Sequence, residues 1–400
     1  MGRDHLTLIK SNFRKTTLIY SSMQIFRLFK YLALSILICF FVGCSQRKNS
    51  PSEKDNSEKA YFTLDDFKSV EKIDAHVHVN TEQTSLIQQA EEDNFRLLTI
   101  NWDDVNDPPP MEIQQEFAIH QLKAFPERIA YATTISIKNF NNDDWQEQTI
   151  AYLKNSFAQG AVAVKIYKVI GMSLRDKNGK LVMIDDPRFD GIIDFIVKNN
   201  IPIVGHLGEP KNCWLPVEKM TIKGDKSYFH DHPEYHMYLH PEFPSYEAQI
   251  DARDRMLEKH PDLKFIGAHL GSLEWSIDEL AKRLDKFPNM TVDMAARIPH
   301  FQYQAKTNWQ GVHDFLIKYQ DRLLYATDIV TNGTEDPSVL KKDAHDRWLS
   351  DWKFFATDET MQASEVEGEF KGLKLPRDVI HNLYRKNAEK LFFGDRKTKR

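Results

Sequence analysis

From residue 60 onward the chain alternates short apolar runs with longer amphipathic stretches. Runs of strand character cover Lys72–Val79, Phe95–Trp102, Ile129–Ile137, Ala161–Tyr167, Ile201–Leu207, Lys264–Leu270, Met290–Ala295 and Leu323–Ile329. Between them, apolar residues recur at spacings of three and four over Met111–Phe125, Trp145–Phe157, Phe189–Lys198, Tyr246–Lys259, Ile277–Phe287 and Trp309–Tyr319, which predicts amphipathic helices. Strands separated by helices need parallel crossovers, so the pattern predicts an α/β fold, and eight such units fit a TIM-type (β/α)8 barrel. An open doubly wound sheet uses the same alternation, but no Gly-rich nucleotide loop follows the first run. Two further helical stretches, Ala344–Met361 and Pro376–Phe392, close the chain. In the second, Val379, Leu383 and Leu391 form an apolar stripe suited to packing on the outside of a barrel. Nothing in the pattern divides residues 61–400, which are expected to form a single domain with these extra C-terminal helices.

The pattern before residue 60 is different. Arg27 and Lys30 lead into an apolar run from Leu32 to Val42, followed by Gly43-Cys44-Ser45. The run falls well short of the ~20 residues a membrane span needs, and its cationic lead-in is that of a signal peptide. It resembles a bacterial lipoprotein signal, which implies lipidation at Cys44, a leader over residues 1–44 and a polar, flexible tether over 45–60. Residues 1–22 are polar and add nothing to a signal that begins at Met23. The expected location is the bacterial cell envelope, lipid-anchored to a membrane; a cleaved secretory signal, giving a periplasmic or secreted protein, is the alternative.

Composition narrows the chemistry. With 41% hydrophobic and 28% charged residues the chain is globular, and a net charge of −5 with both signs interspersed argues against a nucleic-acid partner. Three cysteines, Cys39, Cys44 and Cys213, are too few for a disulfide framework or a cysteine-rich zinc site. Any metal must therefore be held by histidines and carboxylates.

Alternation along the first run places Ile73, Ala75, Val77 and Val79 on one face and Asp74, His76 and His78 on the other. Two imidazoles on one face can share a divalent ion, although the pair alone equally suits two ordinary histidines. In such barrels the working side chains sit at the C-terminal ends of strands. The fifth, sixth and eighth runs end at His206, His269 and Asp328. Alternation sets His206 in phase with Val204, His269 with Phe265 and Gly267, and Asp328 with Leu324 and Ala326, all toward the axis. A single strand-end histidine is ordinarily structural; this set, on four strands of one barrel, is hard to explain that way. At the end of the fourth run Lys165 and Tyr167 also face inward.

The segments His76-Val-His78, Gly-His206-Leu-Gly-Glu209-Pro, Ala-His269-Leu-Gly and Ala-Thr-Asp328, with the closing Leu375-Pro-Arg and Arg385-Lys-Asn387-Ala, resemble the amidohydrolase superfamily. The likeness is to its amidohydrolase-related branch, which also holds decarboxylases and lactonases, and it spans about residues 72–395. It implies that His76, His78, His206 and Asp328 bind one divalent metal: zinc, with manganese and iron as alternatives. It also implies that His269 activates the attacking water or polarises the substrate, and that Asp328 is a general acid–base. In an alternative arrangement His269 is the ligand and His206 stands behind it. Other branches carboxylate a fourth-strand lysine to bridge two metals; in the one-metal reading Lys165 binds substrate instead, with Tyr167, Glu209 and Arg297. Arg297 equally suits a salt bridge at the rim. Trp102 and Asp103, at the end of the second run, are placed to line a pocket and have no assigned role.

The connection from Gly208 to Ser245 is far longer than the ~2–6 residues usual after such strands. It carries Glu209, Cys213, Trp214, His230, Asp231, His232, His236 and His240, and is expected to form a lid over the metal, the alternative being a packed surface excursion. The expected activity is metal-dependent hydrolysis of a small ester, lactone or amide. Decarboxylation of a small carboxylic acid is the alternative, and a barrel that binds without turnover a third possibility. The partner is a small-molecule substrate, and the oligomeric state is open.

Overall fold

A computed structural model describes residues 60–104 and 109–394. The leader, Cys44 and the tether up to residue 59 lie outside the described residues. Nine strands form one curled parallel sheet: β1 (Lys72–Val79), β2 (Phe95–Ile100), β3 (Ile129–Thr134), β4 (Ala163–Ile166), β5 (Ile203–Gly205), β6 (Phe265–Gly267), β7 (Met290–Asp293), β8 (Leu323–Leu324) and β9 (Ile329–Thr331). Their order is β8-β7-β6-β5-β4-β3-β2-β1-β9. That order runs with the sequence and never reverses, so the doubly wound alternative fails. Each predicted run contains a strand, the eighth being split by residues 325–328. β8 pairs with β7, and β9 pairs with β1 through Val77–Val79. Between these pairings Ala75 N–H donates to Tyr325 O at 3.0 Å and Asp328 N–H to His76 O at 2.8 Å.

The apolar residues sort into two layers. Val164, Ile166, Phe265, Val292 and Leu323 pack outward with the helices, while Ile73, Leu98, Ala130, Ala163, Val204, Ile266, Leu324 and Ala326 pack together on the other face. Alanines make up much of this inner layer and interleave with isoleucine and leucine to fill the interior.

Three expectations need correcting. First, Ile73 and Ala75 belong to the inner layer but Val77 and Val79 to the outer, so β1 does not alternate cleanly. A register shift between Asp74 and Val77 is responsible. Such a bulge turns the chain over and re-aims the side chains beyond it. Asp74 therefore turns away from the His76 ring, accepting the His76 backbone N–H at 3.3 Å and further bonds from Thr327 and from Trp348 Nε1 at 3.0 Å. Second, His269 is not in phase with Phe265, which faces outward; it reaches the interior by a turn described below. Third, the predicted helix Ala344–Met361 is a helix over Pro337–Ala356, started by the Asp336 side chain accepting the N–H groups of Ser338 and Val339 with proline at the first position. It gives way to an antiparallel hairpin of β10 (Thr360–Ala363) and β11 (Val366–Lys371). In the last helical segment Val379 and Leu383 join the outer layer, but Ala388, Phe392 and Phe393 pack with Leu391 against the inner one.

Candidate active site

Four strand ends bring the predicted residues together. Nε2 of His76 and Nε2 of His78 lie 3.5 and 3.3 Å from Oδ1 of Asp328. One ligand atom from each of these residues lies within 4.8 Å of the others. The far side of each ring is tied down. His76 Nδ1 is 2.8 Å from Asp293 Oδ2 and His78 Nδ1 is 2.6 Å from Ile100 O. A carboxylate and a carbonyl can only accept, so both Nδ1 atoms carry a proton, and in the neutral rings that bind a metal both Nε2 atoms present lone pairs. Two lone pairs thus face an anionic oxygen with no proton between them, an arrangement that a cation relieves.

Electrostatics agree. Burial, reinforced by Lys165, holds the imidazole of His76 well below its ordinary range. Burial likewise keeps His269 neutral and, opposed in part by Glu209, pushes His206 down to about 4. Burial also works against ionisation of Asp328, and it takes positive charge at the facing rings of His269, His78 and His76, which a bound cation would supply once those rings are neutral, to hold the carboxyl well below the carboxylate range. Uncharged imidazoles beside an ionised carboxylate are the forms that ligate a divalent ion.

His206 and His269 stand beside this group, their ring centroids 4.2 Å apart, with His269 5.1 Å from His76. His269 Nδ1 bonds Ala295 O at 2.9 Å. His206 Nε2 is buried without a hydrogen bond, its nearest carboxylate oxygen, Glu209 Oε2, being 3.8 Å away. Glu209 in turn is ion-paired through Oε1 to Lys168, a residue the sequence did not single out. Lys165 is almost fully buried, with Nζ 3.2 Å from His76 Nε2; burial, partly offset by Asp293 and Asp328, brings it down to about 8.

Two backbone features place these groups. Asp328 sits at φ +67°, a left-handed conformation that an Asp tolerates better than most residues. His269, Leu270, Gly271 and Ser272 run through four successive positive φ values of 58, 58, 62 and 56°. This left-handed turn lifts His269 out of strand phase into the site. It is held by Asp293 Oδ1 on the His269 N–H at 2.8 Å, by Arg253 on Gly271 O and by Tyr246 OH on Ser272 O. Gly267 is needed beneath it, since a Cβ there would lie 2.9 Å from Gly271 Cα.

The group opens into a cleft of about 300 Å³ lined by His78, Trp102, Lys165, Tyr167, His269 and Asp328. An adjoining space of about 380 Å³ reaches Glu209, Tyr228 and Arg297. Arg297 donates from Nη1 to Ala296 O, and its Nε has no partner among the described residues. Over residues 209–245 the chain forms a helix, Lys223–Asp231, and short 3-10 turns. Its histidines serve that segment itself: His236 Nε2 bonds Leu215 O at 2.8 Å and His240 Nε2 bonds Pro233 O at 2.9 Å. Asp293 was missed, although it ends the seventh strand and so obeys the rule that found the others.

A sequence comparison with curated proteins found no match. Among solved structures the chain is similar to 4-oxalomesaconate hydratase from Rhodopseudomonas palustris, at 12% identity over 80% of this chain and 95% of that one, TM-score 0.43. It is also similar to the manganese-bound 5-carboxyvanillate decarboxylase of Novosphingobium aromaticivorans, at 11% identity over 82% and 98%, TM-score 0.44. An amidohydrolase from Mycoplasma synoviae aligns at 12% identity over 84% and 93%, TM-score 0.43. Residues 73–394 match the amidohydrolase family model, from the first histidine-bearing strand to the last helical segment. On that match, the chain belongs to the amidohydrolase family.

Proposed function

We propose that the chain is a metal-dependent hydrolase that opens or cleaves a small ester, lactone or amide. The observation that carries this reading is the convergence of two imidazole lone pairs and a carboxylate oxygen from His76, His78 and Asp328 at the mouth of a cleft. His206, whose buried Nε2 lacks a bond, is the fourth ligand, and zinc suits such a set of imidazoles and a carboxylate, with manganese and iron as alternatives. A divalent ion there supplies Lewis acidity to a carbonyl oxygen and acidity to a water.

The protein groups do the rest. Asp328 accepts the proton of the attacking water and returns it to the leaving group. His269, its Nδ1 committed to Ala295 O, keeps Nε2 for the substrate. Tyr167, Glu209 and Arg297 line the walls that hold the substrate, and Lys165 offers it a cation. We also read the sheet as a closed (β/α)8 barrel in a single domain, a reading supported by the bond from Ala75 N–H in β1 to the carbonyl of Tyr325, the residue that follows β8. An envelope location through lipidation of Cys44 completes the proposal.

A second reaction, decarboxylation of a small carboxylic acid, has support in the cations Lys165, Lys168 and Arg297 around the cleft. Product separates the two. Zinc-loaded protein assayed against a panel of lactones, esters and amides should release acid, with kcat lowered at least about 100-fold by Asp328→Asn. Carbon dioxide release without hydrolysis selects the decarboxylase, and acid release indifferent to Asp328→Asn refutes the assignment.

A further inference from the structure

The buried and half-buried arginines of this chain find acceptors. Arg96 pairs with Glu71 and Glu389, Arg253 pairs with Asp254, and Arg322 donates to the carbonyls of Phe287 and Met290. Among the described residues Arg297 is the exception. A guanidinium carries five N–H donors, and only one of these is engaged, an Nη1 N–H taken by Ala296 O at 3.1 Å. Nε is shut in without an acceptor, whereas Nη2, equally unbonded among the described residues, keeps accessible surface. The neighbouring carboxylates feel this charge but are tied elsewhere. Asp225 takes Asn212 Nδ2 at 2.8 Å and stands 3.4 Å from His300 Nε2, and Glu274 takes the Lys211 N–H at 2.8 Å. Their field steadies the cation without satisfying its donors, and unpaired donors on a half-buried charge are costly.

Arg297 borders the space of about 380 Å³ that adjoins the catalytic cleft. His206, His269 and Asp328 line the same space, so a group held at Arg297 and a carbonyl at the metal can belong to one small molecule. Arg347, exposed on the helix Pro337–Ala356, lines it too and has no hydrogen bond or ion pair among the described residues. Lys168 is not free in this way, being paired with Glu209. Asp225 and Glu365, the latter lying against Gly224, add negative charge to the walls. The space therefore suits a singly charged carboxylate better than a doubly charged phosphate.

We propose that the substrate carries a carboxylate apart from the group that reacts, and that Arg297, joined by Arg347, binds it. This rests on the metal reading given above and narrows the substrate to an anionic ester, lactone or amide. A guanidinium keeps its charge at any working pH and aims its donors in one plane, so it fixes where a carboxylate lies as well as attracting it. Lys165, 3.2 Å from His76 Nε2, stands at the reacting end of such a molecule, and Arg297 at the other.

Succinate, glutarate and adipate, each beside its own monoamide, are the probes: one carboxylate serves the metal, and the far end is charged or neutral. Zinc content is read first, on the wild type, Arg297→Gln and Arg347→Gln, and binding is then measured by calorimetry on the zinc-loaded proteins. At the chain length that fits, the dicarboxylate should bind the wild type at least about tenfold more tightly than its monoamide. Arg297→Gln, at equal zinc content, should bring the two within about twofold, the factor that two equal ends supply. If Arg297→Gln does not fold, Arg347→Gln, at an exposed position with no bond to lose, takes its place, and the preference should fall about threefold. No probe binding to zinc-loaded wild type, no preference at any length, or a preference undiminished in the variant overturns the proposal and leaves the metal site standing. Absence of zinc from the loaded wild type removes the metal reading itself.

Discussion

Asp293 Oδ2 lies 2.8 Å from His76 Nδ1, and the other oxygen of that carboxylate takes the backbone N–H of His269 at 2.8 Å. One buried carboxylate on β7 thus sets the tautomer of a ligand on β1 and the start of the turn carrying His269. Asp293→Asn offers an amide where His76 needs an anionic acceptor. Metal affinity, measured by competition with a chelator, should fall about 10–100-fold with the fold intact. Unchanged affinity would show that His76 does not depend on Asp293.

The left-handed turn at residues 269–272 makes a second demand. Each non-glycine residue in that conformation costs about 1–2 kcal/mol, so the turn survives only while its surroundings insist on it. Arg253, 1% exposed, bonds Gly271 O and pairs with Asp254 at 2.7 Å. Arg253→Met removes that bond to Gly271 O and leaves Asp254, among the described residues, with Arg283 as its ion-pair partner, at 3.4 Å. Urea unfolding should show a loss of about 3 kcal/mol. A loss below about 1 kcal/mol would mean that the turn holds without it.

Stability should also depend on pH through Asp351. Burial, partly opposed by Arg347, pushes this carboxyl up to about 7, and Tyr325 OH bonds it at 2.9 Å. A carboxyl whose folded pKa exceeds its unfolded value of about 4 binds more protons when folded. Its contribution is therefore complete below about pH 4 and lost as pH rises through about 7. Asp74, pushed up to about 6 mainly by burial, acts in the same sense. His76, His206 and His269, which burial holds neutral, act in the opposite sense and destabilise the fold as pH falls from 8 to 5. The test is therefore the difference between proteins: the urea midpoint should change more favourably from pH 5 to pH 8 in Asp351→Asn than in the wild type. An unaltered pH slope in the variant would place the titration elsewhere.

How much of this was legible in the sequence depends on the geometry of each element. Apolar runs located β1 to β8 of the parallel sheet, because buried parallel strands need apolar side chains on both faces. The same rule picked out His76, His78, His206, His269 and Asp328 at strand ends. Facing within a strand was less legible. The β1 bulge and the turn at His269 break period-two alternation, and neither leaves a mark in the hydrophobic pattern. Asp293 was passed over because the seventh run was extended to Ala295, which moved the apparent strand end two residues beyond it. Arg297 was seen just past the seventh run, but its lack of an ion pair is a property of the folded surroundings. The hairpin β10–β11 was absorbed into a predicted helix, since Ala356 and Met361 continue an apolar pattern that only Thr357 interrupts.

The most direct test is metal stoichiometry. Elemental mass spectrometry on the purified, zinc-loaded protein should find one divalent ion per chain. His76→Ala and Asp328→Ala should lose that ion while keeping the circular dichroism of the folded wild type. No metal under any loading condition, or unchanged stoichiometry in both variants, would contradict the site at its centre and return His76 and His78 to being two histidines on a strand.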